Sequence, residues 1–145
     1  MINDDLQYDG AGLKITENGE GCRLIPYLDG GGTPTDGYGN THNVVMGVPI
    51  TLEKAIADLT TNIQWAVRVV KEHALVRLTQ GEFDALVDFV FNEGSGHFQS
   101  STLLRLLNAG DFDGAKAQFM SWDKCGGVFS QGLFNRRTAD VGEFK

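Results

Sequence analysis

Long apolar runs are absent: nowhere do roughly 18 apolar residues follow one another, so no helical membrane span is expected. The opening segment, Met1 to Gly12, is polar and acidic and lacks the cationic and apolar regions of a secretory signal, so no signal peptide is expected. Cysteine is scarce. Cys22 and Cys125 show no CxxC or Cys/His ligand spacing, which argues against zinc and leaves two free thiols as the expectation. The three histidines, His42, His73 and His97, share no ligand spacing either and are assigned to loops or the surface. Positive charge is in the minority: 12 Lys and Arg stand against 19 Asp and Glu, a net charge of −7. The basic residues are scattered, with only Arg136 and Arg137 adjacent, so nothing marks a nucleic-acid partner or attraction to anionic lipid. Repeats and low-complexity tracts are missing as well. What remains is ordinary globular usage, 41% hydrophobic and 21% charged, in 145 residues, a length that suits one domain.

The chain then divides by period. A short helix is predicted from Tyr8 to Asn18, stopped at Gly19. Arg23 to Leu28 reads as a strand, "DGGGT" as a turn and Thr35 to Tyr38 as the returning strand. From Thr51, a plausible N-cap, to His73 a 3.6-residue apolar stripe predicts one long helix. Thr79 and Glu82 form a capping box ahead of a helix that ends near "NEGSG". Ser100 or Ser101 caps a short helix, Asp111 another, and a last helix spans Gln131 to Gly142. Phe83, Phe89, Phe91, Phe98, Phe119 and Trp122 are assigned to the core of the helical part. The expected class is α+β: a small β-hairpin lobe over residues 16–50, a connecting helix over 51–74 and a helical lobe over 75–145, on which the N-terminal helix packs. A cleft is expected between the two lobes.

Within the hairpin lie an acid just past the first helix, Glu20, an acid at the strand end, Asp29, and a hydroxyl at the head of the next strand, Thr35. Glycoside hydrolysis needs such a set: one carboxyl to protonate the leaving oxygen, and another to meet the oxocarbenium charge or activate water. The two carboxyls need unlike surroundings, so Glu20 is expected to be the buried acid and Asp29 the ionised partner in a polar turn. Thr35 can position the water. Spacing alone also fits a solvated Glu20, a turn aspartate and a strand threonine. Glu17 is the rival acid. Tyr27, Tyr38 and the Gly30–Gly32 backbone are candidates to face a glycan, although Tyr27 also suits the core.

The stretch E-G-C-R-L-I-P-Y-L-D-G-G-G-T-P-T-D-G-Y-G-N-T resembles the phage-type lysozymes of glycoside hydrolase family 24, whose pattern runs E-G-x-R-L-x-x-Y-x-D-x-x-G-x-x-T-x-G-Y-G-H-T. "LTQGEFDALVDFVFNEG", "SSTLLRLLNAGD" and "CGGVFSQGLFNRR" extend the resemblance in order from Leu13 to about Asp140. It implies a peptidoglycan muramidase cleaving between N-acetylmuramic acid and N-acetylglucosamine. Glu20 is then the general acid, and Asp29 and Thr35 hold the water or the developing charge. It also implies Arg136 as the arginine that orients the acid, substrate contacts from Tyr27, Gly32, Tyr38, Gln99 and Ser100, and no metal or cofactor. A monomer held in the host cytoplasm until a holin-type protein opens the membrane is the implied setting. A lytic transglycosylase and a catalytically silent glycan binder are the alternatives. Two letters depart from the pattern: Asn40 replaces the usual histidine, and Asp36 an apolar residue. Asp36 is expected to face solvent, because strand neighbours point opposite ways.

Overall fold

The computed structural model describes residues 1–145, which gather into two compact units: Thr16–Gln64, and Met1–Ile15 with Trp65–Lys145. The class is α+β, as expected, with eight α-helices and two small antiparallel hairpins. None of the helices is long and apolar enough to cross a membrane.

In the first unit, the end of helix α1 (Gly10–Glu20) leads into strand β1 (Arg23–Leu28), the boundaries the sequence predicts for that strand. β1 pairs antiparallel with β2 (Pro34–Gly37), in register Tyr27↔Thr35 and Leu28↔Pro34, with an irregularity between Arg23 and Tyr27. The sheet is tied to the following loop by the Ile50 amide, which donates to the Leu24 carbonyl over 2.9 Å. Helix α2 (Leu52–Asn62) starts at Thr51, whose hydroxyl accepts from the Lys54 amide, and buries Ala55 and Leu59. The Gly37 backbone abuts Ala55: a Cβ at Gly37 would lie 3.1 Å from that methyl.

The long helix predicted from Thr51 to His73 is interrupted. It breaks at Ile63 and resumes as α3 (Gln64–His73). The polar run before the break competes for the helical ladder: the Thr60 hydroxyl bonds back to the Ile56 carbonyl, and Gln64 Nε2 takes the Thr60 carbonyl.

The second unit is built round α4 (Gln80–Glu93), opened by the predicted Thr79–Glu82 capping box and buried without interruption from Phe83 to Val90. Around it stand α5 (Ser95–Gln99), α6 (Thr102–Asn108, capped by Ser101), α7 (Phe112–Gln118, capped by Asp111) and α8 (Gln131–Glu143). Phe83, Phe89, Phe98 and Phe119 are fully buried, and Phe89 meets Phe119 and Trp122 edge to face. Phe91 and Trp122 are half-buried. The N-terminal residues join this core through Asn3, whose amide spans the Val76 carbonyl and the Leu78 N–H at 2.9 Å each. Two elements were not foreseen: α5, and a second hairpin of β3 (Lys124–Cys125) and β4 (Val128–Phe129). Both are too short to carry a period.

Candidate active site

Glu20, Asp29, Thr35, Tyr27, Gly32 and Tyr38 all fall in the unit Thr16–Gln64; Gln99, Ser100 and Arg136 belong to the other. Glu20 is the last residue of α1, not a residue beyond it, because the helix runs two residues past the predicted Asn18. The residue is exposed, which corrects the expectation of a buried acid: it stands at the open C-terminal end of the helix. Glycine follows at Gly21, φ +69, and turns the chain into β1.

Asp29 is locked into the hairpin turn. Its Oδ1 accepts from the Gly31 amide at 2.9 Å and the Thr33 amide at 2.8 Å, the aspartate turn expected of this sequence, and Oδ2 is left available. The Gly32 amide closes the turn on the Asp29 carbonyl at 2.9 Å, with Gly32 in the left-handed region at φ +80. Asp29 and Thr35 then share a partner. The Thr33 carbonyl accepts the Asp29 amide at 3.0 Å and the Thr35 hydroxyl at 2.9 Å. The Thr35 proton is thereby committed, and the oxygen retains lone pairs to receive a water proton. Thr35 is buried at 3% exposure, so its orientation is set by packing as well.

Beyond Thr35 the chain makes a tight loop, Asp36 to Asn40. Each end's amide bonds the other's carbonyl, at 2.9 and 2.8 Å. Asp36 is 1% exposed, which corrects its assignment to solvent: Asn40 Nδ2 donates to its Oδ1 at 2.9 Å, inside the fold. The two departures from the family pattern therefore answer each other. Gly39, at φ +74, faces the acid; a Cβ built there would lie 3.8 Å from Glu20 Oε2. Tyr38 is half-buried, and burial first, then the Glu17 charge and the Cys22 thiol, hold its phenol above the ordinary value. Tyr27 carries the Arg23 guanidinium 3.8 Å over its ring, beside a shallow groove of about 350 Å³ lined by Arg23 to Tyr27.

In the second unit, Gln99 and Ser100 are exposed and bond locally, Gln99 Nε2 to Ser95 Oγ at 2.7 Å and Ser100 Oγ to the Gly96 carbonyl at 3.0 Å. Arg136 is buried and forks onto Asp88. Sequence reading passed over Asp88 and Asp140, both fully buried acids. The available signal was their place inside apolar helical periods, where a carboxyl needs a partner.

A profile of the Phage lysozyme family matches residues 17–140. The chain belongs to that family. Its relatives include an endolysin of Acyrthosiphon pisum secondary endosymbiont phage 1, 41% identical, the match covering 92% of this chain and 94% of the relative. A crystal structure of a P22 lysozyme mutant superposes with a TM-score of 0.90 at 33% identity, covering 96% of this chain and 98% of that one. The muramidase domain of SpmX from Asticaccaulis excentricus superposes with a TM-score of 0.89 at 30% identity, covering 96% and 97%. Membership supports peptidoglycan hydrolysis in phage lysis as the activity, carried out by a glycosidase.

Proposed function

We propose that this phage-lysozyme-family chain is a muramidase that hydrolyses the β-1,4 bond between N-acetylmuramic acid and N-acetylglucosamine. Glu20 donates the proton to the glycosidic oxygen as the bond breaks. Asp29 offers its free Oδ2 to the oxocarbenium-like centre or to the proton of the attacking water. Thr35 accepts a hydrogen bond from that water, because its own proton is held by the Thr33 carbonyl. The water oxygen bonds to the anomeric carbon, one water proton passes to Asp29, and the leaving oxygen keeps the proton from Glu20.

The observation that carries this reading is the Thr33 carbonyl, which ties the Asp29 backbone and the Thr35 hydroxyl into one rigid turn. The exposure of Glu20 suits a group that must reach a polymer. Clearing of purified cell walls by wild type and Glu20→Gln tests it, with the products analysed by mass spectrometry. Hydrolysed reducing ends from wild type and a loss of about 10²-fold or more in the variant are expected. Anhydro-muramyl ends would mean a transglycosylase, and an undiminished variant would remove Glu20 from the acid role.

A further inference from the structure

We propose that Asn40 is a positioning residue for this reaction: held by Asp36 and Asn62, it fixes the Gly37–Gly39 turn against the Glu20 carboxylate. The inference rests on Glu20 as the reacting acid and adds a residue that touches neither substrate nor the reacting atoms.

The Asn40 carboxamide is 3% exposed and uses its full bonding capacity. Nδ2 donates to Asp36 Oδ1 at 2.9 Å and to the His42 carbonyl at 3.0 Å. Oδ1 accepts from Asn62 Nδ2 at 3.0 Å and from the His42 amide at 3.3 Å. Three stretches of chain thus converge on one side chain: the end of β2, the loop after it and the last residue of α2. The carboxamide at its centre is buried and fully bonded, and such a hub stiffens the chain around it.

The turn it closes needs that support. Gly37 and Gly39 both adopt positive φ, +54 and +74, and glycines impose no side-chain restraint of their own. The apex faces the acid: beyond its own chain neighbours, Glu20 Oε2 is the one atom within 4 Å of a Cβ built on Gly39, at 3.8 Å. Thr35 directly precedes Asp36, so the same network anchors the strand that presents the water-holding hydroxyl. Misplacing a catalytic group by about 1 Å can cost on the order of 10²-fold in rate. A loop shift here would act on Glu20 and Thr35 together.

The test is steady-state hydrolysis of a soluble glycan substrate by Asn40→Ala, Asn62→Ala, Asn40→Asp and the swapped pair Asp36→Asn/Asn40→Asp. All are assayed well below their melting temperatures, with the folded fraction measured by circular dichroism. Asn40→Ala should lose roughly tenfold or more in kcat with KM changed less than about twofold, and Asn62→Ala should lose less. Asn40→Asp sets two carboxylates together and should also fall, while the swapped pair restores a donor opposite an acceptor between the two side chains, leaves the His42 carbonyl without its donor, and recovers part of the kcat lost in Asn40→Asp. Should Asn40→Ala not fold, Asn62→Ala and the swap decide the matter by the same kcat readout. A kcat that tracks only the folded fraction, or a swap that regains stability without kcat, makes the network structural and overturns the proposal. Failure of the underlying reading looks different: Glu20→Gln would then stay active whatever Asn40 does.

Discussion

Arg136 closes a fork on Asp88, with Nη2 at 2.8 Å from Oδ1 and Nε at 3.1 Å from Oδ2, both side chains being buried. Arg137 extends the cluster, bonding Asn92 Oδ1 at 2.8 Å and standing 3.2 Å through Nε from Asp140 Oδ2, an ion-pair distance with poor hydrogen-bond geometry. Burial, reinforced by the Asp88 charge, pushes Asp140 well above the ordinary carboxyl range despite both arginines.

Asp88→Asn is expected to destabilise by about 3–5 kcal/mol, because it removes the carboxylate onto which the buried Arg136 guanidinium forks. Asp140→Asn should cost less, since burial already works against a charged carboxylate at that position. Urea denaturation at neutral pH measures both; equal losses would contradict the assignment.

Asp29→Asn should abolish most activity with little change in melting temperature. Its Oδ1 can still accept from Gly31 and Thr33, so the turn survives while the carboxylate charge is lost. Asp29→Ala removes the turn bonds too and should melt earlier. Parallel turnover and thermal scans separate the two effects.

Asp84 supplies a pH dependence. Burial raises its carboxyl to about 6, opposed by the Gln80 amide bonded to Oδ1 at 2.7 Å. A folded pKa above the unfolded one favours the fold in the protonated form. The contribution is complete below about pH 4 and is lost as pH rises through about 6. Asp84→Asn is expected to stabilise at pH 7–8 by up to about 3 kcal/mol, the gain vanishing near pH 4. Melting curves across that range check it.

Gly37→Ala should cost about 2–4 kcal/mol, because it adds left-handed strain to a contact with Ala55 in the interior. Gly32→Ala meets only strain, in open space, and should cost about 1–2 kcal/mol. If the Gly32 backbone faces the glycan, its KM rises while the Gly37 variant shows mainly a lowered melting temperature.

Much of this was legible along the chain. β1, the caps at Thr51, Thr79, Ser101 and Asp111, and the Asp29 turn follow from local chemistry, since each bond joins residues within a few positions. The break at Ile63 was not, because an apolar stripe continues through it and the competing bonds belong to polar neighbours. Asp36 went the other way: alternation assigns it to solvent, and only the return of Asn40 and the approach of α2 give its carboxylate a reason to be inside.

The sequence by itself determined the first hairpin with the turn that joins Asp29 to the Thr35 strand, the capped helix starts, and the ordered pattern of a phage lysozyme, because these depend on local propensity and residue order. The tertiary structure alone decided that Glu20 is exposed, that Asp36, Asn40 and Asn62 form one hydrogen-bonded network, and that Asp88 and Asp140 share an interior with two arginines. The physical reason is burial. Whether a polar side chain is solvated or must find a partner depends on segments distant in sequence.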